Sequence, residues 1–333
     1  MNPKIITNKI RCTSCGDVIE SKSVHDYVGC SCGRVSVDGG KDYLRRGFTD
    51  HLTDFEDLSE YDVKLEIQKF LIGKIREGMS FEEIKKLLSG APYFITVSEK
   101  DDLVLFKYSQ LESDWNEPIC TECRGLILEK GTWRVVRYAF DKFFNINEQF
   151  AAKIDWESAV GTEKIDGSLI SLYYYKGKWR AATNGTIDAY DAPLISNSRY
   201  NNYGELWEAA VNSNYPEFLA EGIKELNPSY TYTFELVSPY NKVVIYYDKP
   251  EIYHIGTRNN LTFEEYDIDI GIEKPQCYKL SDREEFIRYV LEKMDAKHEG
   301  IVVRDKNYNR LKLKTEHYIE LFRISAESES DIR

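Results

Sequence analysis

Lys164 sits in the stretch Glu163-Lys164-Ile165-Asp166-Gly167-Ser168, between two carboxylates and just ahead of a glycine. An ordinary lysine has a pKa near ~10.4, so at neutral pH only about one amine in a thousand is free to attack. A lysine nucleophile therefore needs burial, a bound metal ion or neighbouring cations to loosen its proton. Lys312 and Lys314, in Leu311-Lys312-Leu313-Lys314-Thr315, alternate along an apparent strand and so point to one face. Brought against Lys164, they would depress its pKa and hold an anionic phosphate. Glu235 and Glu299 lie beside apolar, strand-like runs, where each is either part of a solvated face or a metal ligand. Cations and Mg2+ around one phosphorus are what phosphoryl transfer requires, because that chemistry is mostly positioning and charge neutralisation. Mg2+ prefers oxygen ligands and keeps waters, which suits scattered carboxylates.

A second group is made of sulfur. Cys12 and Cys15 form a C-x-x-C pair and Cys30 and Cys32 a C-x-C pair, with Gly16 and Gly33 freeing the turns. Four thiolates can close a tetrahedron around Zn2+, a structural site with no open position. A module this short would depend on that metal to fold; four unrelated thiols is the alternative. His25 reads as a solvated loop histidine rather than a ligand. Cys120 and Cys123 repeat the spacing without a partner pair nearby, so no second zinc site is expected, and Cys277 reads as an ordinary thiol.

The elements that must position these residues are legible in outline. With 333 residues and 42% hydrophobic content, the chain can bury a sizeable core. Tyrosine is abundant, and β-branched and aromatic residues recur in short runs, which favours sheets. Hairpin patterns turn at Lys100-Asp101-Asp102, Lys130-Gly131 and Lys176-Gly177, with helical stretches near 203–226 and 281–295. Strands joined mainly by hairpins, with helices inserted, argue for an α+β fold with antiparallel sheets. No glycine-rich phosphate loop follows a strand. Tyr173, Tyr174 and Tyr175 alternate faces in a strand and read as sheet packing rather than a base-stacking platform.

Upstream, apolar residues at helical spacing in 63–78 and a Ser80/Glu83 capping box ending at Gly90 mark two helices. The expected organisation is a zinc-ribbon-like module at 1–40, a polar linker at 41–60, a helical adaptor at 61–90, a main domain at 91–325 and a flexible tail at 326–333.

A formal net charge of −12 excludes a protein that coats nucleic acid by general attraction; a polyanion would need a local basic groove. No apolar run is long enough to span a bilayer and no signal-peptide pattern opens the chain, so no membrane partner is expected. Seven clustered cysteines fit a reducing cytoplasm better than a secreted disulfide framework.

In sequence order, EKIDGS, FELVSPYNKVVIYY, HEGIVVRD and LKLKT resemble the nucleotidyltransferase motifs of covalent ligases and capping enzymes. More closely, the stretch from about 120 to 315 is similar to the adenylylation (nucleotidyltransferase) domain of the phage T4-type RNA ligase family, with CRGLIL and KFFNINE among its most specific parts. The resemblance implies an ATP-dependent RNA ligase. Lys164 would attack the α-phosphorus of ATP to give lysyl–AMP and pyrophosphate. The adenylyl group would pass to a 5′-phosphate end of RNA, and a 3′-hydroxyl would displace AMP. Asp166 would be catalytic, orienting the lysine and its metal surroundings, with Gly167 permitting a sharp turn. Glu163, Glu235, Lys312 and Lys314 would bind the nucleotide, and Glu235 and Glu299 the Mg2+ (or Mn2+). Arg124 and Lys142 would lie near the triphosphate with Phe144 beside them; a surface ion pair, a solvated lysine and a core aromatic are the bland alternatives.

Three departures from the family pattern stand out. Asn184 falls where the T4-type enzyme has a lysine, with Arg180 as a candidate substitute. Only about one helix and a tail follow LKLKT, so neither the helical domain of the T4-type enzyme nor the oligonucleotide-binding barrel of DNA ligases and capping enzymes is expected. The amino-terminal module has no counterpart. It carries Lys22, Arg34, Lys41, Arg45 and Arg46, and is either an RNA reader or a stabilising or docking knob. The expected protein is a cytoplasmic monomer, a phage-infected bacterium being one host for it. The competing readings are a DNA-sealing or GTP-using enzyme on the same scaffold, and a catalytically silent zinc-ribbon nucleic-acid-binding protein.

Overall fold

The strand Ser168–Tyr175 is buried on both faces, which is why its sequence, SLISLYYY, lacks polar alternation. In the computed structural model, which describes residues 5–61, 65–194 and 198–330, it lies inside a five-stranded sheet. Its antiparallel neighbours are Lys178–Thr183 and Tyr230–Val237, followed by Glu251–Asn259 and Glu265–Tyr266. One face takes the helix Tyr203–Asn214, where Leu206 and Trp207 meet Ile170, Leu172 and Phe234. The other face takes a four-stranded sheet of Ile95–Lys100, Leu103–Tyr108, Arg124–Glu129 and Val135–Arg137, sealed by Leu103, Leu105, Ile127, Tyr173 and Tyr175. The tyrosine run is therefore packing, and its hydroxyls bond to Ile187 O, Asp102, Glu129 and Thr53 O.

Behind the four-stranded sheet lie the helices Glu66–Arg76 and Phe81–Ser89, whose Leu71, Ile84 and Leu88 are fully buried. Truncating any of these to alanine would cost about 2–5 kcal/mol. The Ser80/Glu83 capping box forms as expected, and the Glu122 carboxylate caps the other helix by accepting from the Glu66 and Ile67 N–H groups.

A second five-stranded sheet runs Phe144–Asn145, Arg310–Lys314, Gly300–Arg304, Val160–Glu163 and Cys277–Tyr278. All its pairs are antiparallel except Phe144–Asn145 with Arg310–Lys314. The helix Arg283–Glu292 covers one face through Phe286 and Val290. The architecture is α+β with mainly antiparallel ladders. No helix among the described residues is long and apolar enough to cross a membrane.

The structure departs from the sequence expectations in two places. The stretch 41–60 is not a linker: Arg45–Phe48 and Phe55–Asp57 are strands that pair with Val35–Asp38 and Ile5–Cys12. Its charges are neutralised inside the module, Arg46 by Asp57 and Glu56 by Arg11, while Phe55 joins the module's core. The tail assigned to 326–333 is entered by a final helix, Glu316–Ser330; residues 331–333 lie outside the described ones. Val243–Tyr247, of strand-like composition, forms no strand and instead folds over the loop that carries Lys164.

Candidate active site

Lys164 lies on the connection between the two five-stranded sheets, after Val160–Glu163 and before Ser168–Tyr175. Its N–H donates to Gly300 O at 2.9 Å, which fixes the crossing point. Gly167 does not adopt a left-handed turn. A Cβ there would lie 2.4 Å from Leu236 O, so glycine is needed for close approach to the strand Tyr230–Val237.

The two sheets and the strand Arg124–Glu129 enclose a pocket of about 330 Å3 that Lys164, Glu163, Arg124, Glu235, Lys312 and Lys314 all line. The Lys164 amine is ion-paired with Glu299 at 2.7 Å, and the other Glu299 oxygen holds Lys314 at 2.8 Å. Glu299 is only 2% exposed, so one buried carboxylate is shared by two ammonium groups. Sequence reasoning placed Lys164 among cations; the structure adds the carboxylate that clamps it.

Charge around the pocket is unbalanced toward cations. Burial, followed by Lys142, Lys164, Lys314 and Arg124, pushes the Lys312 amine down to about 7. Burial also raises Glu235 to about 7, opposed by Lys164 and reinforced by Glu299. Burial raises the Glu163 carboxyl as well. Arg124 lies over the Phe143 ring at 5.3 Å, and its Nη1 is buried without a hydrogen-bond partner. A site with surplus cations and an unsatisfied guanidinium is built to receive an anion.

Two expected site residues are elsewhere. Phe144 turns away from the pocket and packs on Trp115 and Phe150, while Phe143 lines it and carries Lys312 at 5.5 Å on its ring. Neighbouring residues of a strand face opposite ways, so the Phe-Phe pair offered no hint of which one faces in. Asp166 is 4% exposed, and its carboxylate is used up within the protein. Oδ2 accepts from the Val244 and Ile245 N–H groups at 2.8 and 2.7 Å, and Oδ1 from the Tyr318 hydroxyl at 2.8 Å. It fastens the loop rather than facing the pocket.

Lys142 stands at the edge of the cluster with its ammonium among the rings of Tyr108, Trp115 and Phe144, at 4.8 to 5.4 Å. Burial, with Arg124 and Lys314, lowers its pKa. Arg180, the candidate substitute for the cation absent at Asn184, lies instead over the Tyr175 ring. Asn184 accepts from the buried Arg137, which also bonds to Ser171 and Gly125 O.

In the amino-terminal module, Cys12, Cys15, Cys30 and Cys32 bring their sulfurs within 4.8 Å of one another. The closest pairs are Cys30–Cys32 at 3.4 Å and Cys12–Cys32 at 3.7 Å, near the roughly 3.8 Å edge of a tetrahedron with Zn–S bonds of about 2.3 Å. Among the described residues this is the one group of side chains arranged for a metal by ligand proximity. Gly16 and Gly33, with φ of +78° and +74°, turn the two knuckles. Arg34 is paired with Asp50 and Arg46 with Asp57, so two of the five basic residues named for phosphate contact are already neutralised.

Comparison with known proteins agrees with this geometry. Residues 122–318, well over half of the chain, match the family described as RNA ligase, of the T4 type. Residues 4–48 match a domain of unknown function (DUF7695). A protein of Autographa californica nuclear polyhedrosis virus, provisionally named a bifunctional polynucleotide kinase/RNA ligase, is 32% identical over 69% of this chain and 35% of its own length. An RNA ligase of Rhodothermus phage RM378 is 30% identical over 69% of this chain and 57% of its own. The match therefore spans about a third to somewhat over half of these relatives. An archaeal ATP-dependent RNA ligase structure aligns with a TM-score of 0.47 at 15% identity, over 74% of this chain and 64% of its own, a likeness too partial to bear on ligands. On the match at 122–318, the chain belongs to the T4-type RNA ligase family.

Proposed function

We propose that this protein is an ATP-dependent RNA ligase that joins a 5′-phosphate end to a 3′-hydroxyl end through a lysyl–AMP intermediate on Lys164. The observation that carries the proposal is the pairing of the Lys164 and Lys314 amines on the two oxygens of Glu299, at the wall of a pocket lined by Arg124 and Lys312. The pocket offers cations for an α-phosphate and one lysine on a fixed loop beside it. Attack by Nζ forms a P–N bond, breaks the bond to the β-phosphate oxygen and releases pyrophosphate and the amine proton. The 5′-phosphate oxygen of RNA then displaces the lysine, and the 3′-hydroxyl oxygen displaces AMP.

Glu235 and Glu299 would be the oxygen donors for Mg2+ or Mn2+. Their fit rests on the half-buried Glu235 carboxyl, which faces the pocket beside Glu299. The divalent ion would neutralise charge developing on the phosphates. Asp166 holds the loop, and Phe143 supports Arg124 and Lys312. In the amino-terminal module, the four cysteines are fitted for structural Zn2+. Lys22, Lys41 and Arg45 remain as its candidate phosphate contacts.

The test is incubation with labelled ATP or GTP and Mg2+ without nucleic acid, followed by denaturation. A heat-stable, acid-labile label from ATP that is absent in Lys164→Ala supports the proposal. Label from GTP alone points to a capping-type enzyme, and label from neither to a binding protein. Offering 5′-phosphorylated RNA and DNA then identifies the polymer.

A further inference from the structure

A chain of net charge −12 attracts RNA only where cations are left without carboxylate partners. Beside the nucleotide pocket runs a second, open groove of about 1130 Å3, and Arg124 lines both. One wall is the helix Phe81–Ser89; the floor is the end of the strands Ile95–Lys100, Leu103–Tyr108 and Arg124–Glu129, with Asn184 and Gly185 opposite. On that floor Thr96 pairs with Lys107, and Lys107 pairs with Arg124. Residues directly opposite on adjacent strands share a face, so the three side chains form one polar row leading to the pocket.

The cations of this row are free. Lys85 in the helix wall is neutralised by Glu82 and Glu99, but Lys86 and Lys107 have no carboxylate partner among the described residues. Both are exposed. The Lys107 amine leans over Gly185, where a Cβ would meet it at 3.5 Å. Glu112, the other acid in the groove, is engaged by Ser109. Arg124 Nη1, at the junction of the two cavities, is buried and unpartnered. Tyr108 lines the same groove. A groove this size exceeds the space one drug-sized ligand needs, and free lysines with an aromatic ring suit a single strand.

We propose that this groove carries the RNA strand whose 5′-phosphate is to be adenylylated, with Lys86 and Lys107 on its backbone phosphates and its end delivered to Arg124. The proposal rests on the ligase assignment above and adds where the substrate lies. It also explains why the position of Asn184 needs no lysine, since Lys107 puts a cation over the adjacent residue.

The experiment uses Lys86→Ala, Lys107→Ala and the double substitution in the full chain, with a 5′-phosphorylated single-stranded RNA dodecamer. Affinity is measured by fluorescence anisotropy across a KCl series, and lysyl–AMP formation from ATP is measured without RNA. Each substitution is expected to weaken RNA binding about fivefold at 0.1 M salt and to reduce the salt slope by about 0.7, while lysyl–AMP formation stays within about twofold. Unchanged affinity and slope would overturn the groove assignment. A matching fall in lysyl–AMP formation would overturn it too, because the lysines would then serve the triphosphate. If wild type takes no label from ATP yet the lysines still govern RNA binding, the ligase assignment fails and the groove stands.

Discussion

The Tyr318 hydroxyl donates to Asp166 Oδ1 at 2.8 Å, joining the final helix to the loop that carries Lys164. Lys314 lies over the same ring at 4.8 Å, so Tyr318 touches one arm of the Glu299 clamp and the loop that carries the other. Tyr318→Phe keeps the ring and removes the hydroxyl, leaving Asp166 one donor short. The expected cost is about 1–3 kcal/mol in thermal or urea unfolding. Lysyl–AMP formation should fall about tenfold in kcat with KM for ATP little changed, because the loop loses alignment rather than nucleotide contacts. Tyr318→Leu, which loses the ring as well, should raise KM too.

Glu299→Gln is the sharpest test of the shared carboxylate. It removes the one negative charge between two amines and a candidate metal ligand at once. Labelling from ATP should fall on the order of a hundredfold or more. Far-UV circular dichroism should be unchanged, since the glutamine fits the same space.

Glu235 is held near 7, above the usual carboxyl range, so the folded protein keeps a proton there that the unfolded chain has lost. With the folded pKa raised, this group's contribution to stability is present at low pH and declines as pH climbs from about 4.5 through 7. Binding of Mg2+ requires the carboxylate, so it should release protons near pH 7 and strengthen as pH rises. Titration calorimetry of the nucleotide-free protein in buffers of different ionisation enthalpy should show that release, and Glu235→Gln should abolish it.

Metal analysis should find one zinc per chain, and Cys30→Ser should lose it. The module's core is small, with Ile10, Val37 and Phe55 packed around Cys12 and Cys30. Chelation should therefore unfold the module first, seen as early proteolysis within residues 5–57. The strands beneath Lys164 should survive, because they are sealed by their own clusters.

The membership of this cluster was legible because it lies in residue identity. Lys164, Glu299, Lys312 and Lys314 could be named before any coordinates, and the structure gathers them. What escaped was orientation. The Phe143/Phe144 pair offers the same side chain to either face, and only packing against Trp115 decides which one turns inward. Asp166 looked catalytic by position, yet its bonds come from Val244, Ile245 and Tyr318, remote in sequence. The stretch 41–60 looked like a linker because its charges are satisfied by partners that composition cannot reveal, such as Asn8 and Ser59 for Arg46. Helix ends and hairpin turns were legible because Ser80, Glu83 and the Lys176-Gly177 turn act through local bonds.

Two lysines gripping one acid make the centre responsive to its own covalent history. On the proposed chemistry, a Lys164 that carried AMP through a phosphoramidate would no longer bring a full positive charge to Glu299. The acid is then left facing Lys314 alone, and the local field shifts by one unit without any large motion. On that proposal the adenylylated and free forms would differ in the number of ammonium groups facing one buried carboxylate.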